Sequence, residues 1–108
     1  MTIAVTGASG HLGGVLVRQL LARGHTVKAL YRSDTRALDG LPLIRQSVDI
    51  NNRNNIQSAL VDCSAVFHLA AEVVINGNAA QKEGMWQTNV VGTQRVVAAC
   101  RQLRLPLV

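Results

Sequence analysis

The chain has 108 residues, of which 48% are hydrophobic and 16% are charged, and its formal net charge is +5. This composition excludes an intrinsically disordered chain and fits one small globular domain built around a single sheet. The apolar runs are too short to span a bilayer, and the N-terminal residues carry no basic segment or cleavage region. We therefore expect a cytoplasmic protein that has no membrane partner.

The basic residues are scattered along the chain, and aromatic residues make up only 3% of it. These features disfavour a nucleic-acid partner, although the positive charge keeps a basic nucleic-acid-binding domain as the remotest alternative. Cys63 and Cys100 are the only cysteines, and neither stands at a metal-ligand spacing. We therefore expect two buried thiols and no metal site.

The N-terminal segment has the pattern of a strand, a glycine-rich turn and a helix. An apolar run at 2–6 precedes Gly7, Gly10 and Gly13. Glycines in these places permit a tight turn, a close approach of the backbone to a pyrophosphate, and close packing of the helix on the sheet. The unpaired amides at the start of the helix would face the anion. The segment therefore predicts a dinucleotide site, and a glycine loop without a ligand is the alternative.

The rest of the chain alternates strands and helices. The first helix is predicted to bury the face formed by Leu12, Val15, Leu16 and Leu20, and to end near Gly24. The further predicted elements are a strand at 26–31, a turn at 39–42, a strand at 43–48, a helix at 53–61, an apolar central strand within 64–71, a loop at 72–84, a helix at 85–104 and the start of a fifth strand at 105–108.

This alternation predicts an α/β fold with right-handed crossovers. The expected architecture is a doubly wound parallel sheet of Rossmann type in the order 3-2-1-4-5, truncated at strand five. The ligand crevice would lie at the C-terminal ends of strands one and four. Two helical faces are predicted to point inward, and they are formed by Ile56, Ala59 and Leu60, and by Asn89, Thr93, Val96, Cys100 and Leu103.

Four motifs resemble those of the extended short-chain dehydrogenases/reductases, which include NAD(P)-dependent epimerases, dehydratases and dihydroflavonol-reductase-like enzymes. The motifs are Thr6-Gly7-Ala8-Ser9-Gly10-His11-Leu12-Gly13, Val48-Asp49-Ile50, Phe67-His68-Leu69-Ala70-Ala71 and Asn89-Val90-Val91-Gly92-Thr93. Their order and spacing extend over the whole chain. The resemblance implies that residues 1–108 form the N-terminal portion of an NAD(P)-binding Rossmann domain, and it specifies no substrate.

The same resemblance implies roles for the motif residues. Asp49 would accept a hydrogen bond from the adenine amino group while Ile50 packs on the ring, although Asp49 could equally cap the next helix. Asn89 is expected to be a structural hydrogen-bonding group near the cofactor, with surface exposure as the alternative. The expected cofactor-binding residues are Gly7, Ser9, Gly10, His11, Leu12, Gly13, Arg32, Asp49, Ile50, Leu69, Ala70, Ala71 and Asn89.

The end of the second predicted strand bears on the choice between NAD(H) and NADP(H). Arg32 stands where an acidic residue would bind the ribose hydroxyls, and an arginine can instead pair with a 2′-phosphate. Ser33 could add a donor and Arg36 a second cation, whereas Asp34 is expected to cap the turn. We therefore favour NADP(H) over NAD(H), and a solvated loop charge is the alternative for Arg32.

The chemistry of this family depends on a Tyr followed four residues later by a Lys, with a Ser upstream. Tyr31 is the only tyrosine, Thr35 stands four residues after it, and the lysines are Lys28 and Lys82. No catalytic residue can therefore be assigned. We expect the cofactor-binding portion of an oxidoreductase or epimerase of a small carbonyl, hydroxyl or sugar-nucleotide substrate, without turnover alone. The alternative is a non-catalytic NAD(P)-sensing module.

The predicted fifth strand at 105–108 is short and apolar, and it would lie at an open edge of the sheet. We therefore expect the chain to associate with itself through these residues, or to be only marginally stable. Light scattering combined with thermal unfolding checks this prediction, and a monodisperse, thermally robust monomer would contradict it.

Overall fold

The computed structural model describes residues 1–32, 35–50, 52–72 and 75–108. In chain order, its elements are β1 (Thr2–Thr6), α1 (His11–Ala22), β2 (Thr26–Tyr31), a 3₁₀ helix (Arg36–Leu38), β3 (Ile44–Ser47), α2 (Arg53–Leu60), β4 (Ala65–His68), α3 (Ala79–Trp86), a π-helical segment (Gln87–Gly92) and α4 (Thr93–Leu103). No helix along these ranges combines the length and the apolar character that are needed to cross a membrane.

The strands form one parallel sheet in the order β3-β2-β1-β4. Leu107 adds an isolated parallel bridge to Val66 at the outer side of β4, and Val66 N donates to Pro106 O at 2.9 Å. This bridge stands where the fifth strand was predicted, so the doubly wound Rossmann order is confirmed. Self-association through this edge stays a prediction.

Two hydrophobic cores cover the two faces of the sheet, and the alternation of side chains along β1 assigns residues to them. Ile3 and Val5 join the core beneath α1, whereas Ala4 joins the core beneath α2 and α4. Successive residues of a strand point to opposite faces, so a strand with helices on both sides is apolar at every position. The central strand β1 is accordingly buried from Ile3 to Thr6.

Helix α1 presents a different face to the sheet from the predicted one. Leu12 and Val15 are 65% and 51% exposed, so the prediction that they face inward was wrong. The buried positions are Gly13, Gly14, Val17 and Leu20. The helix packs on the glycine turn through Gly13 and on the sheet through Val17 and Leu20, and this orientation turns Leu12 and Val15 outward. The predicted end of the helix is correct, because Gly24 adopts a φ of +84° directly after the last turn.

The helix that was predicted at 85–104 begins earlier and contains a π-helical segment between two α-helical ones. Helix α3 starts at Ala79, inside the predicted loop, because Asn78 and Gln81 form a reciprocal capping box. Helix α3 buries no side chain, so its sequence lacks the apolar period that would have indicated a helix. The π-helical segment then separates α3 from α4.

The predicted inward residues of α2 and α4 lie in the same core. Ile56, Ala59 and Leu60 are buried, as are Val96 and Cys100. The expectation of two buried free thiols is confirmed as well. Burial raises the pKa of the Cys63 thiol to about 11, so this thiol stays protonated at neutral pH.

Lys28 lies on the α2 side of β2 and is almost entirely buried. Its Nζ donates to Ala59 O at 2.8 Å and to Asp62 Oδ1 at 2.9 Å. Ala59 is in the last turn of α2, where carbonyl groups lack helical partners and a cation is favourable. The hydrogen bond from Lys28 holds the pKa of Asp62 below its ordinary value. One lysine of the central sheet therefore caps the helix that packs on it.

We predict that Lys28→Met lowers the free energy of unfolding by about 1–2 kcal/mol, because the Ala59 carbonyl loses its charged donor and keeps only the weak contact from Cys63 Sγ. The matched variant Asp62→Asn should lower the free energy of unfolding by less. The Asp62 side chain is 60% exposed, and the amide oxygen of an asparagine can still accept from Lys28. Urea unfolding of both variants measures the difference. A larger loss in Asp62→Asn would show that the ion pair, and not the capped carbonyl, is the important contact.

Candidate functional site

A cavity of about 260 Å³ opens where the carboxyl ends of the strands meet. Its lining comes from four chain segments, each at or directly after the carboxyl end of a strand, and from one residue of the π-helical segment. The lining residues are Thr6, Gly7, Ser9, Gly10, Leu30, Tyr31, Arg32, Val48, Asp49, Ile50, Leu69, Ala70, Ala71, Glu72 and Thr88. This edge is where open α/β sheets bind ligands, at the point where the strand order reverses.

The glycine turn brings three backbone segments closer together than side chains would permit. Gly7 has a φ of +65°, and a Cβ on it would lie 2.7 Å from Ala70 N. A Cβ on Gly13 would lie 2.1 Å from Gly7 O. Gly10 N donates to Gly7 O at 3.0 Å and closes the turn. The end of β1, the start of α1 and the end of β4 therefore meet through backbone contacts.

The N-terminus of α1 is suited to an anion. Gly10 is its N-cap, no side chain caps the helix there, and the first turn contains no acidic residue. The first amides of a helix have no intrahelical acceptor, and the helix dipole adds positive potential at that end. Ser9 and Gly10 line the cavity beside these amides. A phosphate group in the cavity could accept hydrogen bonds from them.

The side chain of Thr6 joins β1 to β4 at the edge of the cavity. Its Oγ1 accepts hydrogen bonds from Leu69 N at 3.0 Å and from Ala70 N at 3.1 Å. The same oxygen lies 2.7 Å from His68 Nδ1, and His68 Nε2 lies 2.9 Å from Thr93 Oγ1. Burial lowers the pKa of His68, so the ring is neutral at neutral pH.

The π-helical segment orients two polar side chains toward the chain after β4. Asn89 Oδ1 accepts from Glu72 N and Asn89 Nδ2 donates to Glu72 O, both at 2.8 Å. Thr88 Oγ1 donates to Glu72 Oε2 at 3.1 Å. Gly92 in the same segment faces Ile50, whose Cδ1 would lie 2.6 Å from a Cβ at this position. The π-helical segment therefore positions both Glu72 and Ile50 at the cavity.

The carboxyl ends of β2 and β3 form the opposite side of the cavity. Tyr31 is the last residue of β2 and Arg32 follows it, and Ser47 Oγ donates to Arg32 O at 3.3 Å. Asp49 and Ile50 follow β3 in the same lining. Ser33 and Asp34, which were considered as a donor and a turn cap, lie outside the described residues. Arg36 begins the 3₁₀ helix and does not line the cavity.

Helix α2 has a capping residue of its own. Asn52 Oδ1 accepts from Asn55 N at 3.3 Å, which is the contact expected of an N-cap asparagine. Asp49, whose alternative expected role was to cap this helix, lines the cavity.

The cavity brings together most of the residues that the sequence singled out. They are Gly7, Ser9, Gly10, Arg32, Asp49, Ile50, Leu69, Ala70 and Ala71. His11 and Leu12 have exposed side chains in the first turn of α1, Gly13 is buried under the turn, and the Asn89 side chain is bonded to the backbone of Glu72. These last four residues do not line the cavity.

Sequence reasoning missed several residues that line the cavity, namely Thr6, Leu30, Tyr31, Val48, Glu72 and Thr88. Each of them is near a residue that was selected. Tyr31 precedes Arg32, Glu72 follows Ala71, and Thr88 precedes Asn89. For all of them except Thr88, the position at the carboxyl end of a strand or directly after it was the available signal, because the carboxyl ends of parallel strands share one edge of the sheet.

A family model described as the NAD dependent epimerase/dehydratase family matches residues 3–108. The chain belongs to this family. It is 44% identical over 104 residues to sterol demethylase protein B of Methylococcus capsulatus, a match that covers 94% of this chain and 31% of the relative. It is 37% identical over 101 residues to the 2-alkyl-3-oxoalkanoate reductase of Stenotrophomonas maltophilia, covering 94% of this chain and 30% of the relative.

A solved structure of an epimerase has the same fold. The UDP-glucose 4-epimerase of Thermus thermophilus, in complex with NAD, superposes with a TM-score of 0.85 at 27% sequence identity. The match covers 97% of this chain and 35% of the epimerase. This member of the epimerase/dehydratase family therefore spans about a third of the length of the relatives that it matches.

We predict that Gly13→Ala lowers the free energy of unfolding by about 2 kcal/mol or more, because the new methyl group would overlap the Gly7 carbonyl oxygen. Gly14→Ala is the matched control in the same turn of α1. Its methyl group would meet the end of the Arg18 side chain at 3.3 Å and Ala8 O at an ordinary contact distance of 3.9 Å, so stability should change by less than about 1 kcal/mol. Urea unfolding measures both variants, and equal stabilities would refute the close contact.

Proposed function

We propose that this chain is the dinucleotide-binding portion of an NAD(P)-dependent oxidoreductase or epimerase, and that it prefers NADP(H) to NAD(H). The observation that carries the proposal is the uncapped start of α1, which opens into a cavity whose β2 side ends in Tyr31 and Arg32. In this proposal, residues 1–108 form the N-terminal portion of the NAD(P)-binding domain. Residues outside this sequence supply the catalytic and substrate-binding parts.

The site offers a group for each part of the cofactor. The amides of His11, Leu12 and Gly13 would hold the pyrophosphate, because the first amides of a helix have no intrahelical acceptor. Gly7 and Gly10 carry no side chains and so leave space for the pyrophosphate beside these amides. Asp49 and Ile50 would contact the adenine. The small residues Ala70 and Ala71 after β4 leave room for the rest of the dinucleotide. When bound, the nicotinamide ring supplies the hydride acceptor or donor of the reaction.

The preference for NADP(H) rests on charge at the end of β2. Among the described residues, the carboxylates that line the cavity are Asp49 after β3 and Glu72 after β4, so neither follows β2. Arg32 is exposed at that end, where its guanidinium can form a charge-assisted pair with a 2′-phosphate. The epimerase of Thermus thermophilus was solved with NAD, so NAD(H) is the cofactor to be compared.

The relatives indicate the substrate class only in general terms. A reductase of 2-alkyl-3-oxoalkanoates and a UDP-glucose epimerase both match this chain. A small carbonyl, hydroxyl or sugar-nucleotide substrate is consistent with both. Because the sequence contains no tyrosine followed four residues later by a lysine, we expect dinucleotide binding without turnover by these residues alone.

We predict that Arg32→Ala weakens NADPH binding by roughly 10- to 100-fold, the value of a lost charge-assisted hydrogen bond, and changes NADH binding by less than about twofold. Arg23→Ala is the matched control, since it removes the same charge at the far end of α1. Calorimetric titration of each variant with both cofactors at one salt concentration measures the effect.

Unchanged NADPH affinity in Arg32→Ala would refute the preference for NADP(H). Equal losses in Arg32→Ala and Arg23→Ala would assign the effect to net charge and refute a specific contact. If the wild-type chain binds neither NADPH nor NADH, the dinucleotide-binding function itself is wrong.

A further inference from the structure

The imidazole ring of His68 lies between two hydroxyl groups from different elements. Its Nδ1 is 2.7 Å from Thr6 Oγ1 on β1, and its Nε2 is 2.9 Å from Thr93 Oγ1 at the start of α4. The proposed cofactor contacts do not use this ring. It is nevertheless adjacent in sequence to Leu69, which lines the cavity together with Ala70.

The hydrogen bonds of Thr6 determine which atoms donate. A hydroxyl oxygen has two acceptor sites and one donated hydrogen. Thr6 Oγ1 accepts from Leu69 N and from Ala70 N, so both acceptor sites are occupied. Leu69 N is also 3.3 Å from Thr6 O, which is the longer of its two contacts. The hydroxyl hydrogen of Thr6 must therefore point to His68 Nδ1, and that nitrogen must carry a lone pair.

A neutral imidazole has one protonated nitrogen, so the proton of His68 is on Nε2. Nε2 then donates to Thr93 Oγ1. The hydrogen bonds run in one direction, from Thr6 Oγ1 to His68 Nδ1 and from His68 Nε2 to Thr93 Oγ1. The orientation of the Thr6 hydroxyl therefore depends on the His68 ring, and the orientation of the ring depends on Thr93.

We infer that His68 is a positioning residue of the cavity. Thr93 holds its ring as the Nε2-protonated tautomer, and the ring in turn orients the Thr6 hydroxyl. This orientation keeps the end of β4 at the distance from the glycine turn that a dinucleotide requires. The part of this inference that concerns the dinucleotide rests on the proposed function. The part that concerns the tautomer rests on the hydrogen bonds alone.

The consequence for the cavity follows from the packing of Gly7. If Nδ1 carried the proton, it would donate to Thr6 Oγ1, and the hydroxyl could then accept from only one of the two amides. Either Ala70 N would lose its partner, or Leu69 N would retain only its longer contact with Thr6 O, and the end of β4 would shift in both cases. Gly7 lies directly against these two residues, with no space for a Cβ. A shift at the end of β4 would therefore move the turn that faces the pyrophosphate.

The first test is the tautomer of His68 in the full chain. Two-bond ¹H–¹⁵N correlation spectra at neutral pH, assigned by comparison with His68→Gln, distinguish the two ring nitrogens. We expect the Nδ1 resonance of an unprotonated nitrogen and the Nε2 resonance of a protonated one. A proton on Nδ1, or a charged ring, overturns the inference.

The second test separates a positioning role from a structural one through Thr93. Thr93→Val removes the acceptor for Nε2 at nearly constant volume, whereas Thr93→Ser retains it. We expect Thr93→Val to weaken NADPH binding by about three- to tenfold, the value of one neutral hydrogen bond, and to populate the other tautomer. Thr93→Ser should keep both the wild-type affinity and the wild-type spectrum.

The outcomes are distinct. If Thr93→Val folds and binds NADPH as tightly as the wild type, or loses stability without a change in tautomer or affinity, the positioning role is overturned. If the wild-type chain binds no dinucleotide, the proposed function and the positioning role both fail, whereas the spectrum still decides the tautomer. Rescue by Thr93→Ser together with the Nε2-protonated spectrum supports the whole inference.

Discussion

The cavity depends on the close approach of three backbone segments at the carboxyl edge of the sheet. Gly13 packs on the carbonyl group of Gly7, and Gly7 packs on the backbone of Leu69 and Ala70. A methyl group at Gly7 or Gly13 would separate α1 or β4 from the turn. Because these contacts involve backbone atoms, neighbouring side chains cannot adjust to relieve them. The same contacts bring the unpaired amides of α1 to the cavity.

The positive charge of the chain is partly used within the fold. Lys28 donates to the carbonyl of Ala59, and Arg18 donates to those of Gly14 at 3.0 Å and Ala37 at 3.1 Å. The Lys28 cation complements a carbonyl group in the last turn of α2, and Arg18 connects α1 to the 3₁₀ helix. Part of the positive net charge therefore has a structural role within the fold, and this part needs no polyanionic partner to explain it. Arg32, in contrast, is exposed at the cavity and remains accessible to an anion.

The apolar runs of the strands and their alternation with helical segments predicted the fold well. Strands β1 and β2 have the predicted bounds, and the strand order is the predicted one. The faces of helices were harder to predict. Helix α1 packs on the glycine turn through Gly13, and a hydrophobic pattern gives no signal for a glycine contact. Helix α3 buries no residue, so its capping box was the only local signal of its start.

The sequence by itself determined the order of the elements, the glycine turn and the edge of the sheet at which a ligand would lie. Only the tertiary structure decided which side chains meet there. Thr6 and His68 are 62 residues apart, and His68 and Thr93 are 25 residues apart. The direction of their hydrogen bonds depends on the register between β1 and β4 and on the rotation of α4. Register and rotation result from packing across the whole sheet, and no local pattern encodes them.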